Sequence, residues 1–195
     1  MELLIKKGIY SCVKWLMLLI SLTAGLSAAA SENMPDNFYR VTPELYRSAQ
    51  PDRLQMQSLD RIGIRSVLNL RQWHSDADEA LGTGLILYRV PMNAAAINDD
   101  DVVIALSFLH RAAKPALVHC WHGSDRTGMI VALYQLLFSH ATKSEVLADL
   151  RRPEYGYHQQ LYPDIARYIA AINVDELRAR VLSLSAGKLL VNRNL

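Results

Sequence analysis

Strands alternating with helices predict an α/β chain, with a central, mostly parallel sheet of four to five strands and helices on both faces. Three observations carry that expectation. Short apolar, β-branched runs recur between helical patterns, and residues 116–120 (ALVHC) read as a fully buried strand. Residues 127–138 are apolar almost all round, as in a helix enclosed by its own protein. The 195 residues suffice for one domain of ordinary size, and 51% hydrophobic with 21% charged residues excludes a disordered, collagen-like or coiled-coil chain.

The first thirty residues stand apart from that pattern. Lys6, Lys7 and Lys14 give a basic start, residues 15–26 carry no charge, and Ala28-Ala29-Ala30 supplies the small residues that a signal peptidase reads. The expectation is a signal peptide over 1–30, cleaved after Ala30, and a secreted or periplasmic protein. The alternative is an uncleaved anchor, for which the uncharged stretch is short of the roughly 20 residues that span a bilayer. Cys12 lacks a lipoprotein-type context and reads as inert. Removal of 1–30 leaves 18 basic and 18 acidic residues and a single cysteine, Cys120. A balance so close to zero marks no nucleic-acid partner. Two cysteines in the whole chain exclude a disulfide scaffold and a Cys-rich zinc site. A lone thiol in an oxidising compartment is a liability unless it has a use.

The remaining elements follow in order, as one domain over 31–185 with a tail over 186–195. Residues 38–41 and 45–47 read as strands around the Thr42-Pro43 turn. Pro51 precedes a helix with Met56, Leu59 and Ile62 on one face and Gly63 as its stop. Residues 64–70 form a strand, 71–84 a polar loop, and 85–90 another strand. Asn98 caps a helix whose first turn holds Asp99, Asp100 and Asp101, suited to the positive end of the helix dipole. Val102, Leu106, Leu109 and Ala113 mark its buried face, and Lys114-Pro115 ends it. After the buried strand and buried helix, Thr142 with Glu145 forms a capping box for a helix that Pro153 stops. Ile165, Tyr168, Ile169 and Ile172 share a face of a later helix, and nothing after Ser183 is readable.

The chemistry gathers in one loop, His119-Cys120-Trp121-His122-Gly123-Ser124-Asp125-Arg126-Thr127-Gly128. It leaves the carboxyl end of a strand, where α/β sheets place ligands, and enters a helix N-terminus. Five residues between Cys120 and Arg126 make a tight turn whose amides can point inward, and Gly123 permits the backbone conformation this requires. Such a nest binds an anion with three or four oxygens. Arg126 adds two parallel charge-assisted bonds, which a lysine cannot. The same positive field favours the thiolate of Cys120. It can attack phosphorus in line, form a phosphocysteine and be released by water. Thr127 can donate its hydroxyl to the sulfur.

HCxxGxxRTG resembles the signature of the protein tyrosine phosphatase superfamily, and the small size resembles its dual-specificity branch. Leu45-Tyr46-Arg47-Ser48-Ala49-Gln50-Pro51, followed by Val67-Leu68-Asn69-Leu70-Arg71, resembles atypical dual-specificity phosphatases of plants, fungi and bacteria. The likeness covers residues 38–172 and, with the N-terminal segment, resembles an exported bacterial member. It implies the cysteine-dependent (CX5R) phosphatase fold and hydrolysis of phosphate monoesters without metal or other cofactor. The substrate would be a protein phosphorylated on tyrosine, serine or threonine, or a small phosphorylated molecule. The resemblance makes Cys120 the nucleophile and Arg126 the phosphate clamp, with Trp121, His122, Gly123, Ser124 and Asp125 as the cradle.

The family's general acid comes from the loop after the preceding strand, and here that loop, residues 91–98 (PMNAAAIN), has no Asp. Asp99 is the nearest, and Asp125 competes from inside the cradle. Asp125 is favoured, because a carboxylate opposes phosphate binding and because some phosphoinositide phosphatases with a similar CxxGxDR loop are thought to use that Asp. Asp125 shaping the loop, and Asp99 as a helix first-turn charge, remain the structural alternatives. Plant and fungal relatives imply inositol pyrophosphates, but this cradle lacks the Lys or extra Arg that suits polyanions. Among other residues, His119 is expected to bond the loop from behind and Trp121 to sit in the core, with His122 turned to substrate or core. Arg151, Arg152 and Tyr155-Gly156-Tyr157-His158 form either a substrate rim or a plain turn. His74 and His110 pair with nothing at a metal-ligand spacing. Two other functions compete: a rhodanese-like sulfurtransferase, and a non-catalytic phosphate-binding module.

Overall fold

Local capping sets where most elements begin. The computed structural model describes residues 33–186; residues 1–32 and 187–195, which contain the expected signal segment, Cys12 and most of the tail, lie outside the described residues. Strands β1 (Tyr39–Thr42) and β2 (Leu45–Ser48) pair antiparallel about the Thr42-Pro43 turn. Helix α1 (Arg53–Arg61) starts at a capping box, with Asp52 Oδ1 accepting from Gln55 N at 2.8 Å and Gln55 Oε1 from Asp52 N at 2.9 Å. Strands β3 (Ser66–Asn69) and β4 (Ile86–Arg89) flank the polar loop. Helix α2 (Asp99–Arg111) begins where Asn98 Oδ1 accepts from the amides of Asp100 and Asp101. Strand β5 (Ala116–His119) and helix α3 (Asp125–Phe138) bracket the Cys120 loop. The Thr142–Glu145 capping box opens α4 (Lys143–Leu150), which is followed by a 3-10 turn (Pro153–Tyr155), α5 (Pro163–Ala171) and α6 (Val174–Ala186).

The sheet runs β1-β2-β5-β3-β4, parallel except for the β1 edge, and so meets the expected architecture. β3 and β5 are buried at every position, their polar residues Ser66, Asn69 and His119 included. Leu68, Leu70, Ala116 and Val118 belong to one core cluster with residues of α2 to α6. Val67 and Leu117, one residue out of phase, are buried outside that cluster, as are Met56 and Leu59 of α1. Strand alternation therefore assigns α1 to the opposite face of the sheet.

Register decides where the site lies. Ser48 pairs with His119, His119 with Asn69, and Asn69 with Arg89, so these four form one row across the carboxyl ends of the parallel strands. Each chain leaves the sheet one residue later at the same height. Helix α6, which the sequence reading did not resolve, buries only Leu177 and Val181, a stripe one residue wide among charged neighbours. Among the described residues no helix is long and apolar enough to cross a membrane.

Candidate active site

Cys120 follows β5 out of the sheet, 2% exposed and free of any disulfide. Gly123 then adopts φ +72°, and a Cβ there would lie 2.5 Å from the carbonyl carbon and oxygen of Ser48 and 2.6 Å from Ala49 N. The loop therefore presses directly on the backbone leaving β2, which only glycine allows.

The carbonyls of this loop from Trp121 to Ser124 are all engaged, and that of Cys120 faces a histidine ring. His119 Nδ1 lies 3.2 Å from Cys120 O, Gln50 N donates to Trp121 O at 3.0 Å, and Asn37 Nδ2 donates to His122 O at 3.0 Å. Arg47 Nη2 donates to Gly123 O at 2.6 Å, and Gly128 N to Ser124 O at 2.9 Å. Among the described residues the amides of Trp121, His122, Gly123 and Ser124 donate to no backbone carbonyl. Nor does Ser124, at the head of α3, cap that helix with its side chain. Carbonyls tied back and amides left unspent are the polarity an anion cradle needs.

Arg47 is 1% exposed, with its guanidinium 4.0 Å from the Tyr155 ring. Burial pushes its pKa down, against the opposing pull of Tyr155, Asp149 and Cys120. At the far end of the loop, Arg126 Nη1 donates to Leu70 O and Met92 O, each at 3.3 Å, while its buried Nε has no partner among the described residues. The guanidinium is thus anchored at the ends of β3 and β4 by one nitrogen, with the rest of the fork available to an anion. The hydroxyl of Thr127, expected to bond the sulfur, is buried without a partner among the described residues, so that bond is not made in this structure.

His119 lies behind the loop as expected, with Nδ1 facing Cys120 O and Nε2 meeting Asp76 Oδ2 at 2.8 Å. Asp76 Oδ1 accepts from Gln50 Nε2 and Asn69 Nδ2, both at 2.9 Å. Burial alone would raise the pKa of Asp76. The bond and charge of His119, the Gln50 bond and the charge of His74 outweigh it and hold the carboxyl below the usual range. The expectation that His74 pairs with nothing at a metal-ligand spacing is corrected: its Nε2 lies 3.1 Å from Glu79 and 3.9 Å from Asp76, and the three could hold a metal ion. A second trio of possible metal donors is His122, Asp125 and His158. In both trios the aspartate oxygens are already taken up with hydrogen-bonding groups, so these are hydrogen-bonded networks rather than open ligand sets.

Above the loop opens a cleft of ≈ 430 Å³, lined in part by Arg71, Trp73, Trp121, His122, Arg126 and His158. Trp121 is not a core residue. It is 54% exposed, because the Arg71 guanidinium stacks on its ring at 4.0 Å and holds it as a wall of the cleft. Arg71 in turn donates to Gln50 Oε1 at 3.0 Å. Asp125 is buried and lines the cleft, with Oδ1 accepting from His158 N and Oδ2 facing His158 Nδ1, each at 2.9 Å. Asp99 does not reach the cleft; it is an exposed first-turn charge 3.7 Å from Arg180 of α6. Of the run from Arg151 to His158, only His158 lines the cleft. Arg151 bonds Leu147 O and Gln159, Arg152 pairs with Glu154 and Asp149, and Tyr155 lies under Arg47.

Sequence reasoning assigned no role to Asn37, Arg47, Gln50 or Asp76. Arg47 and Gln50 do fall in the run 45–51 that carried the family resemblance, the one signal that marked them.

Known proteins bear out that resemblance. Residues 34–179 match the tyrosine phosphatase family. The dual specificity protein phosphatase TpbA of Pseudomonas aeruginosa strain UCBPP-PA14 is 32% identical over 146 residues, covering 73% of this chain and 65% of that protein. Human dual specificity protein phosphatase 26 is 29% identical over 134 residues, covering 62% and 64%. This chain thus spans about 65% of the length of those relatives. A crystal structure of P. aeruginosa TpbA matches with a TM-score of 0.68 at 26% identity, over 78% of this chain and 98% of that one. The core catalytic domain of the PP-IP phosphatase SIW14 from S. cerevisiae matches with a TM-score of 0.66 at 24% identity, over 77% and 94%, a likeness of fold alone. A family match over most of the sequence coincides with the Cys120–Arg126 loop and its tied-back carbonyls, and the chain belongs to the tyrosine phosphatase family, in its atypical dual-specificity branch.

Proposed function

We propose that this protein hydrolyses phosphate monoesters through a phosphocysteine, and that its substrate is an aryl phosphate such as phosphotyrosine. The observation that carries the reading is the loop from Cys120 to Arg126, with each carbonyl from Trp121 to Ser124 engaged and the amides of 121–124 unspent. That loop is a receptor for a tetrahedral dianion, with a thiol at its start and a guanidinium at its end.

In the first step Cys120 Sγ bonds to phosphorus, the P–O bond to the leaving group breaks, and the leaving oxygen takes a proton from Asp125. In the second, water attacks phosphorus, Asp125 recovers a proton from it, and the S–P bond breaks to release phosphate and the thiolate. Arg126 and the amides hold the equatorial oxygens in both steps, where charge develops. Asp125 fits the acid's place better than Asp99, since only Asp125 lines the cleft.

The aryl preference rests on the walls. Trp73 (88% exposed), Trp121 and Leu161 present apolar surface at the cleft, and only two of its lining residues are arginines, Arg71 and Arg126. A highly phosphorylated ring would need more cations. One crystal structure of P. aeruginosa TpbA holds pTyr, in keeping with this choice. The test is kcat/KM on a phosphotyrosine peptide against an inositol pyrophosphate, with Cys120→Ser as control. The peptide should be preferred, and the serine variant should bind it without turnover. A preference for the polyphosphate would overturn the substrate class, and turnover by Cys120→Ser would overturn the nucleophile. The family match removes the support for a sulfurtransferase, and the same serine control answers the binding-module reading.

Export is part of this proposal, supported by the basic, uncharged and small-residue pattern of 1–30. N-terminal sequencing of the protein from its native compartment should start at Ser31, whereas an intact Met1 in a membrane fraction would favour the anchor.

A further inference from the structure

His158 has no part in the chemistry so far, yet it is held as firmly as the loop it faces. Gly156 turns left-handed at φ +66° after the 3-10 turn and redirects the chain toward the cleft. Tyr157 then anchors the segment by donating its hydroxyl to Tyr162 O at 2.7 Å. The His158 backbone is fixed on both sides: its amide donates to Asp125 Oδ1, and its carbonyl accepts from Leu161 N at 3.0 Å and Tyr162 N at 2.9 Å. The ring therefore meets Asp125 Oδ2 at 2.9 Å through Nδ1, while the side chain stays 42% exposed at the cleft. The His122 ring is its neighbour, 5.7 Å away between centroids.

Asp125 is the first residue of α3, and both of its carboxylate oxygens face residue 158, one the backbone amide and the other the ring. Imidazole is the side chain that exchanges a proton near neutral pH. We infer that His158 and Asp125 work as one proton-holding pair, in which His158 orients the carboxylate and shares the proton that Asp125 passes to the leaving oxygen.

This rests on the reading of Asp125 as the acid. Before the first step the pair holds one proton beyond the Nδ1–H that bonds Oδ2. As the P–O bond breaks that proton goes to the leaving oxygen, and the pair is left as a carboxylate beside a neutral imidazole. As water attacks, its proton restores the pair. His158 is a positioning residue in this scheme, acting through Asp125 rather than on phosphorus.

The test compares phenyl phosphate, whose leaving group needs a proton, with 2,4-dinitrophenyl phosphate, whose leaving group does not. The variants are His158→Ala, His158→Asn and Asp125→Asn, each measured by kcat/KM, which covers the steps through P–O cleavage. Because the bond to Oδ1 comes from the 158 backbone, every His158 variant keeps that anchor. General-acid catalysis contributes about 10²–10⁴-fold, so His158→Ala should lose about 10-fold or more on phenyl phosphate and little on the dinitrophenyl ester. Asparagine can offer Asp125 a donor but cannot hold a second proton, so His158→Asn should stay slow on phenyl phosphate. Equal losses on both esters, or full rescue by asparagine, would overturn proton sharing. If Asp125→Asn shows the leaving-group bias and His158→Ala does not, the pair falls and the acid stands. If neither shows it, Asp125 falls as the acid as well.

Discussion

Replacing Gly123 by alanine combines two costs, and two other glycines bear the first of them alone. An L-residue in the left-handed region costs about 1–2 kcal/mol relative to its preferred conformations. Gly63 (φ +93°) and Gly82 (φ +82°) would each bear that cost alone, since a Cβ at either position meets nothing within 4 Å. At Gly123 the same cost comes with a collision: the new Cβ would be 2.5 Å from Ser48 C and O and 2.6 Å from Ala49 N. Relief requires the loop or the end of β2 to move, because backbone cannot rotate aside as a side chain can. Displacements of about 1 Å at reacting groups can cost of order 10²-fold in rate. Urea denaturation and kcat/KM on 4-nitrophenyl phosphate should therefore be measured on all three alanine variants. Gly63→Ala and Gly82→Ala should each lose about 1–2 kcal/mol with activity intact. Gly123→Ala should lose clearly more stability and about 10²-fold in activity. If it matches Gly82→Ala in both, the loop does not press on β2 as the geometry says.

Two further outcomes follow from the site. Arg126→Lys should lose about 10²–10³-fold in kcat, the usual effect of removing one preorganised donor, because an ammonium cannot both reach the Leu70 and Met92 carbonyls and grip two phosphate oxygens; a lysine variant within a few-fold of the parent would contradict the clamp. Asp76, held below the ordinary carboxylate range chiefly by His119, contributes stability that is complete above the unfolded-state value of about 3.9 and is lost as pH falls through the lower folded value. Asp76→Asn should accordingly be less stable at pH 7 and show a flatter acid limb below about pH 4, and parallel denaturation profiles of the two proteins would refute the assignment.

What the sequence disclosed and what it withheld divide along one line, the distance over which a residue finds its partner. The Thr142–Glu145 box and the Asn98 cap were legible because donor and acceptor lie within three residues. Cys120, Gly123 and Arg126 were legible for the same reason, since one short loop holds them all. The groups that give this loop its polarity come from elsewhere. Arg47 is 76 residues from the carbonyl it binds, Asn37 is 85 from its own, and Asp76 is 43 from His119. None has a local pattern, because its role exists only once the parallel register has put Ser48, His119 and Asn69 in one row. Trp121 was misjudged by the same rule: an indole beside a buried strand reads as core until Arg71, on another strand's exit, supplies a ring partner at the surface. Asp125 shows the rule at its sharpest, for its own neighbours in sequence made it a candidate acid with no visible proton source. The ring that its carboxylate meets lies 33 residues on, in a turn whose sequence alone was equally compatible with a plain bend.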